Sequence, residues 1–371
     1  MSESERHRLE IAYMPGLYKD SAPGADASEI DNERRTRLQM VEEPTNNIGQ
    51  YLKKSVQFFR RHGPGFVLRK ALWRYQYTRF RQRCDAWHAR SGAKPITVNF
   101  IDQEFELHPS VKGLSEEILL LGSHEPMCTR VYLQHVQEGD NVLDIGSNLG
   151  YYAILAARAV GPAGQVLGFE PAQDVFTILR RNVARSGLAN IRVFPWAISN
   201  QSTAVEFYGS EIPSWGSLIR EQNLLQAQPT TVPAKKLDDL LDEFPGFHPT
   251  VLRMDVEGAE MMALEGAQRL LQEFKPRIFV EIHPFAFEWK RAHQMIENLR
   301  SMGYSSGVVI ERLWDEPWAS KWVRERRHWA GSTEALLKTI ESRHEALNTG
   351  VFSILLEPRE HSSVHADCAQ V

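Results

Sequence analysis

The sequence predicts an α/β protein built on a mostly parallel sheet with helices on both faces. Three observations predict it. From residue 141 on, short apolar runs recur: "NVLDIG", "QVLGFEP", "IRVFPWAIS", "TVLRMDVEG" and "RIFVEIHP". Helical patterns such as "YYAILAARAV", "FTILRRNVARSG" and "EMMALEGAQRLLQEF" lie between most of them. Strand alternating with helix implies crossover connections, which leave the strands parallel and buried on both sides. The first run also ends in an acid and two glycines four apart, "NVLDIGSNLGYY", where open sheets of this kind bind ligands.

The elements follow in chain order. Residues 1–46 mix charges with Ser, Gly, Pro and Asn without a sustained period, and are expected to be loosely attached. Residues 47–95 read as a helical arm. Ile48, Leu52, Val56 and Phe59 share one helix face, "HGPG" breaks the pattern, and "FVLRKALWRYQYTRFRQRCDAWHAR" resumes it. Between Lys53 and Lys94 twelve Lys/Arg face one acid, Asp85, with aromatics interleaved. Such a stretch suits a solvated arm on the main domain, an interfacial helix on anionic lipid, or a surface for an anionic polymer. The main domain is expected over 96–358. It opens with a hairpin in "ITVNFIDQEFELHP" and a helical region near 115–136. "TAVEFYG" and "TTVPAKKL" read as extra strands around the irregular "SEIPSWGSLI". "YSSGVVIER" and "VFSILLEP" read as two late strands, separated by a helical insert at about 311–350. There Trp314, Trp318 and Trp322, four apart, form an aromatic stripe suited to packing, a partner subunit, a sugar ring or a lipid interface. Residues 359–371 read as a tail.

Composition narrows the class. Of 371 residues, 42% are hydrophobic and 24% charged, which suits a globular chain with a sizeable core. A net charge of −4 argues against nucleic acid as the partner. Cys84, Cys128 and Cys368 are far apart, so neither a zinc knuckle nor a disulfide framework is expected. The charged start "MSESERHRLE" is unlike a secretion signal, and no 18-residue apolar run is present. A cytoplasmic setting follows as the default, with residues 53–94 as a candidate contact to the inner membrane surface.

Three ligands compete for the turn after Asp144. A phosphate loop needs a Lys that this turn lacks. A dinucleotide turn wants a middle glycine to admit the pyrophosphate, and Ser147 stands there. S-adenosyl-L-methionine carries one small carboxylate, an ammonium and a sulfonium. It needs less glycine and welcomes acids. Asp144, Gly146, Ser147, Asn148 and Gly150 would then line its amino-acid end. Glu170, 26 residues beyond Asp144 at the next strand end, would accept from the ribose hydroxyls. Because nicotinamide sites use the same acid, an NAD-dependent oxidoreductase stays open. So does a non-catalytic protein that keeps the pocket and binds a membrane or partner.

"DNVLDIGSNLGYYAILAARAVGPAGQVLGFEP", then "LDDLL", then "RMDVEGAEMMALEGAQRLLQEFKPRIFVEIH" together resemble the FkbM family of S-adenosylmethionine-dependent methyltransferases, over roughly residues 115–310. The resemblance implies a class I methyltransferase fold, a Rossmann-like sheet of seven strands. It also implies O-methylation of sugar, polyketide or other natural-product hydroxyls, with a small-molecule or glycan acceptor. The arm and the insert lie outside it. A homo-oligomer is compatible with these readings.

Methyl transfer to an alcohol needs alignment, exclusion of water and a base. Asp255 and Glu257, two apart, point to one side if their strand stays extended, and Glu281 and His283 repeat this on the next core segment. Asp255 is the first candidate at the reaction centre. Glu257 either contacts substrate or caps a helix. His283 is the candidate base, or a structural loop donor before its proline. Glu281 binds substrate or fixes His283. Mg²⁺ on these carboxylates is the weaker expectation, because no Asp-Asn pair completes the set. Glu125, before Pro126, either closes over the cofactor or caps a helix. Trp196 either stacks on adenine or fills the core. "SWGSL" (214–218) is a candidate acceptor wall.

Overall fold

The computed structural model describes residues 78–79, 82–90, 94–111, 113–209, 217–218, 229–282, 289–313, 325–330, 333–334, 337–338 and 350–358. The chain divides into two compact units, Tyr13–Arg81 and the remainder, Met1–Ala12 with Gln82–Val371. Only Thr78 and Arg79 of the first are described, so most of the basic arm lies outside the described residues; 82–90 is helical.

The main unit begins with the expected hairpin, β1 (Ile96–Phe100) and β2 (Gln103–Leu107), paired from Ile96↔Leu107 to Phe100↔Gln103. Its two-residue loop, Ile101 and Asp102, has φ of 52° and 55°. Positive φ at both positions is the hairpin geometry that matches strand twist. Helices α1 (Leu114–Leu121) and α2 (Pro126–Gln134) fill the expected helical region.

The alternating core follows: β3 (Asn141–Ile145), α3 (Tyr151–Val160), β4 (Gln165–Phe169), α4 (Gln173–Ser186) and β5 (Ile191–Phe194). Next come β6 (Ala197–Ile198), β7 (Ala204–Phe207), β8 (Thr230–Lys235), α5 (Leu237–Glu243) and β9 (Val251–Met254). The chain then forms α6 (Glu260–Glu265), α7 (Gln268–Glu273), β10 (Arg277–Ile282), α8 (Trp289–Ser301), β11 (Tyr304–Leu313), β12 (Glu325–Ala330) and β13 (Gly350–Pro358). The main sheet runs β12-β11-β13-β10-β9-β3-β4-β5. β5, β4, β3, β9 and β10 pair in parallel, whereas β13 is antiparallel to both β10 and β11. This is a doubly wound sheet with β3 and β9 at its switch point, and it carries one strand, β12, beyond the seven-stranded Rossmann-like sheet expected above. β6, β8 and β7 form a separate small sheet, as the break in rhythm at 203–236 predicts.

Alternation along each strand divides the core. Val142 and Val166 pack under α1–α4 and the hairpin, while Leu143, Ile145, Leu167 and Phe169 pack against α5–α8. Two sequence expectations are corrected. "EMMALEGAQRLLQEF" is two short helices, not one. A Cβ at Gly266 would lie 2.1 Å from the Ser199 carbonyl oxygen, so the small sheet crosses the helix there and Gly266 ends α6. The segment expected as a helical insert contains β12, which pairs antiparallel with β11 from Gly307↔Ala330 to Arg312↔Glu325 and adds an eighth strand. Trp314, Trp318 and Trp322 lie outside the described residues.

Candidate cofactor and acceptor site

β3 delivers its last residues to the carboxyl edge at the switch point, and the turn after it is tied down by backbone bonds. Gly146 takes φ 80°, and its N–H and that of Ser147 both donate to the Phe169 carbonyl at the end of β4 (3.0 and 2.9 Å). A Cβ on Gly146 would lie 1.9 Å from the Asp255 carbonyl oxygen, so glycine is required for the approach of the β9 loop. Gly150, φ 93°, caps α3, and a Cβ there would meet Leu179 at 2.8 Å.

The sequence places Ser147 at the cofactor. Its hydroxyl is instead a buried strut, donating to the Asp144 carbonyl (2.9 Å) and accepting from the Phe169 N–H (3.1 Å). Asn148, φ 50°, donates its N–H to Glu170 Oε2 (3.0 Å), and its side-chain Oδ1 is buried with no partner among the described residues. Glu170 Oε1 accepts from the Ala172 N–H (2.9 Å). Burial outweighs these two N–H bonds and pushes the Glu170 carboxyl up to about 7.

Gly146, Asn148, Glu170, Trp196, Asp255 and Glu257 line one pocket at this edge. The Trp196 indole stacks on Phe194 with centroids 4.6 Å apart and carries the Lys235 ammonium at 5.2 Å. Ser217 and Leu218 complete the wall. Ser217 Oγ donates to the Glu257 carbonyl (2.8 Å), and its backbone bridges Tyr208. The rest of "SWGSL" lies outside the described residues.

Asp144 is not a pocket acid. It is fully buried, and Oδ1 accepts from Arg253 Nη1 at 2.9 Å; Oδ2 has no partner among the described residues. Odd and even positions explain this: Leu143 and Ile145 face α5–α8, so Asp144 points to the α3 face beside Val142. Of the two places expected for Glu125, the structure shows the helix cap: it is the cap residue of α2 and does not line this pocket. It precedes α2 with φ 47°, is buried, and accepts from the Tyr152 hydroxyl (3.1 Å) with His124 Nε2 3.3 Å away. Burial, then the Glu125 charge, raises the Tyr152 phenol well above its ordinary value.

Asp255 stands at the pocket, 25% exposed at its side chain, with Oδ2 on Arg253 Nη2 (2.9 Å). The strand ends at Met254, and Glu257 has φ 51°, so Asp255 and Glu257 do not share a side as alternate strand residues. Glu257 does not cap α6; the Gly258 N–H beside it donates to Glu260 Oε1 (3.1 Å). β9 and β10 are parallel neighbours as expected. Glu281 on β10 is 7% exposed, opposite Ser353. His283 lies outside the described residues.

The sequence reading missed Arg253. It is 4% exposed and bridges Asp144 and Asp255, with its guanidinium 4.0 Å from the centre of the Tyr152 ring. The signal was present: an arginine inside "VLRM", a strand otherwise apolar, needs buried partners. Among the described residues no group of three His, Cys, Asp or Glu side chains could hold a metal ion, and no helix is long and apolar enough to cross a membrane.

A sulfonium nucleoside fits these residues. Glu170 suits ribose hydroxyls, the orphaned Asn148 oxygen can accept from an ammonium, and the three pocket acids suit a cationic ligand. Residues 144–306 match the methyltransferase FkbM domain. The chain is similar to Methyltransferase 1 of Beauveria bassiana, 26% identical, covering 46% of this chain and 74% of that protein. It is also similar to the hexuronic acid methyltransferase AglP of Haloferax volcanii, 28% identical, covering 42% of this chain and 60% of that one. Among solved structures, the O-methyltransferase from Bacillus cereus in complex with SAH aligns over 67% of this chain and 89% of that one, with 14% identity and a TM-score of 0.36. The domain match over residues 144–306 and these relatives support S-adenosyl-L-methionine-dependent methyltransferase chemistry for this part of the chain.

Proposed function

We propose that the protein methylates a hydroxyl oxygen on a sugar, a lipid-linked sugar or another small hydroxylated natural product. The observation that carries this reading is Asp255: a half-buried carboxylate at the pocket, oriented by a guanidinium and adjoining Glu257 and Ser217. A carboxylate so placed accepts a hydrogen bond from an alcohol and fixes its oxygen. The name of the AglP relative, a hexuronic acid methyltransferase, supports a carbohydrate acceptor.

S-adenosyl-L-methionine supplies, when bound, an activated methyl on a sulfonium. The remaining tasks fall to the chain. Glu170 and Asn148 hold the nucleoside and amino-acid ends. Trp196 and Leu218 wall the pocket from water. Asp255 aligns the acceptor oxygen, and His283 takes the hydroxyl proton, with Glu281 steadying it. Incubation with methyl-labelled cofactor and a panel of glycans and hydroxylated metabolites, followed by mass spectrometry, tests the reading. Label on a hydroxyl oxygen is expected, with turnover lowered at least tenfold in Asp255→Asn and His283→Ala. Label on nitrogen, sulfur or carbon alone would refute it.

A further inference from the structure

Arg253 is the residue whose place the reaction above does not yet use. It lies on the central strand β9, in register with Asp144 on β3. One guanidinium nitrogen, Nη1, donates to Asp144 Oδ1 (2.9 Å) and to the Gly146 carbonyl (3.2 Å). The other, Nη2, donates to Asp255 Oδ2 (2.9 Å). The Tyr152 ring lies 4.0 Å from its centre, and Tyr152 is itself held by Glu125. Burial opposes the charge, but Asp144 and Asp255 outweigh it and raise the arginine above its ordinary value.

We propose that Arg253 is a positioning residue that locks the acceptor-facing Asp255 to the cofactor turn, so that the orientation of one depends on the integrity of the other. The geometry requires a planar fork. Two nitrogens fixed in one plane reach one carboxylate on β3 and another in the loop just after β9, while the flat face rests on an aromatic ring. A lysine in this position keeps the charge but has one nitrogen on a flexible stem, and cannot hold both acids in a fixed relation. Asp144 thereby acquires a role distinct from direct cofactor contact: it anchors the fork. This inference rests on the reading of Asp255 as the acceptor-orienting group.

The test is a double-mutant cycle on Arg253→Lys and Asp255→Asn. Each variant is measured for kcat, acceptor KM and, by calorimetry without acceptor, cofactor Kd. Arg253→Lys is expected to lower kcat tenfold or more and to raise cofactor Kd less than fivefold. Added to Arg253→Lys, the Asp255→Asn substitution is expected to cost less than threefold further. Full, additive losses in the double variant, or unchanged kcat in Arg253→Lys while Asp255→Asn is impaired, would overturn the inference and leave the function of Asp255 intact. Unchanged turnover in Asp255→Asn would instead overturn the acceptor reading itself. Should the lysine variant fail to fold, the cycle Asp144→Asn with Asp255→Asn decides. Both substitutions are isosteric. Coupling between them of at least threefold in kcat supports the fork, and strict additivity refutes it.

Discussion

Replacing Glu170 by Gln should make the protein more stable at pH 8 while weakening its hold on the cofactor. The carboxyl is buried and lifted from its ordinary 4.5 to about 7. At about 1.4 kcal/mol per pH unit, that difference is worth about 3 kcal/mol. The sign follows from proton binding. The folded state holds this proton more tightly than the unfolded chain, so the cost is absent well below pH 4.5, grows as pH rises and is complete above 7. Gln removes the charge. Its single oxygen can serve only one of the two N–H groups, Asn148 and Ala172, now bonded to Glu170, which costs about 1 kcal/mol. Urea unfolding should therefore find the variant near parity at pH 5 and about 2 kcal/mol more stable at pH 8. Calorimetry should find wild-type cofactor affinity rising about tenfold between pH 6 and 8 as Glu170 ionises, and the variant weaker and nearly flat. A variant less stable than wild type at pH 8, or a wild-type affinity that ignores pH in that window, would show that burial does not govern this carboxyl.

Asn182, fully buried on α4, accepts from the Glu106 N–H and donates to the carbonyls of Glu106 and Leu149; Asn182→Ala should cost about 2–4 kcal/mol in urea with the m-value unchanged. Gly266→Ala forces a methyl onto the Ser199 carbonyl at 2.1 Å and should cost about 3 kcal/mol, read as a fall in midpoint. The Tyr304 hydroxyl donates to the Pro276 carbonyl at 2.8 Å, and Tyr304→Phe should lose about 1–2 kcal/mol by the same measurement, because the carbonyl stays buried.

Much of the fold was legible because it is governed by local periodicity. "YYAILAARAV" is helix α3 from first residue to last, and the hairpin at 96–109 and the strands around 203–236 lie where alternation and turn residues put them. The insert expected to be helical at about 311–350 contains β12, because residues 325–330 form a strand by pairing with β11, a contact no local pattern encodes; the stripe of Trp314, Trp318 and Trp322 lies outside the described residues. The helix broken at Gly266 failed for a related reason: the obstacle is the Ser199 carbonyl, remote in sequence.

The sequence by itself determined the strand–turn–helix at 141–160, the second acid at Glu170 and the acidic segment after β9, since spacing along one chain fixes which groups reach the same sheet edge. Only the tertiary structure decided what each acid faces. Asp144 turns inward because its neighbours Leu143 and Ile145 occupy the opposite face, and Asp255 stays at the pocket because Arg253 holds it there. The orientation of a side chain at the end of a strand depends on which buried charge it must neutralise, and that partner is supplied by a strand 109 residues away.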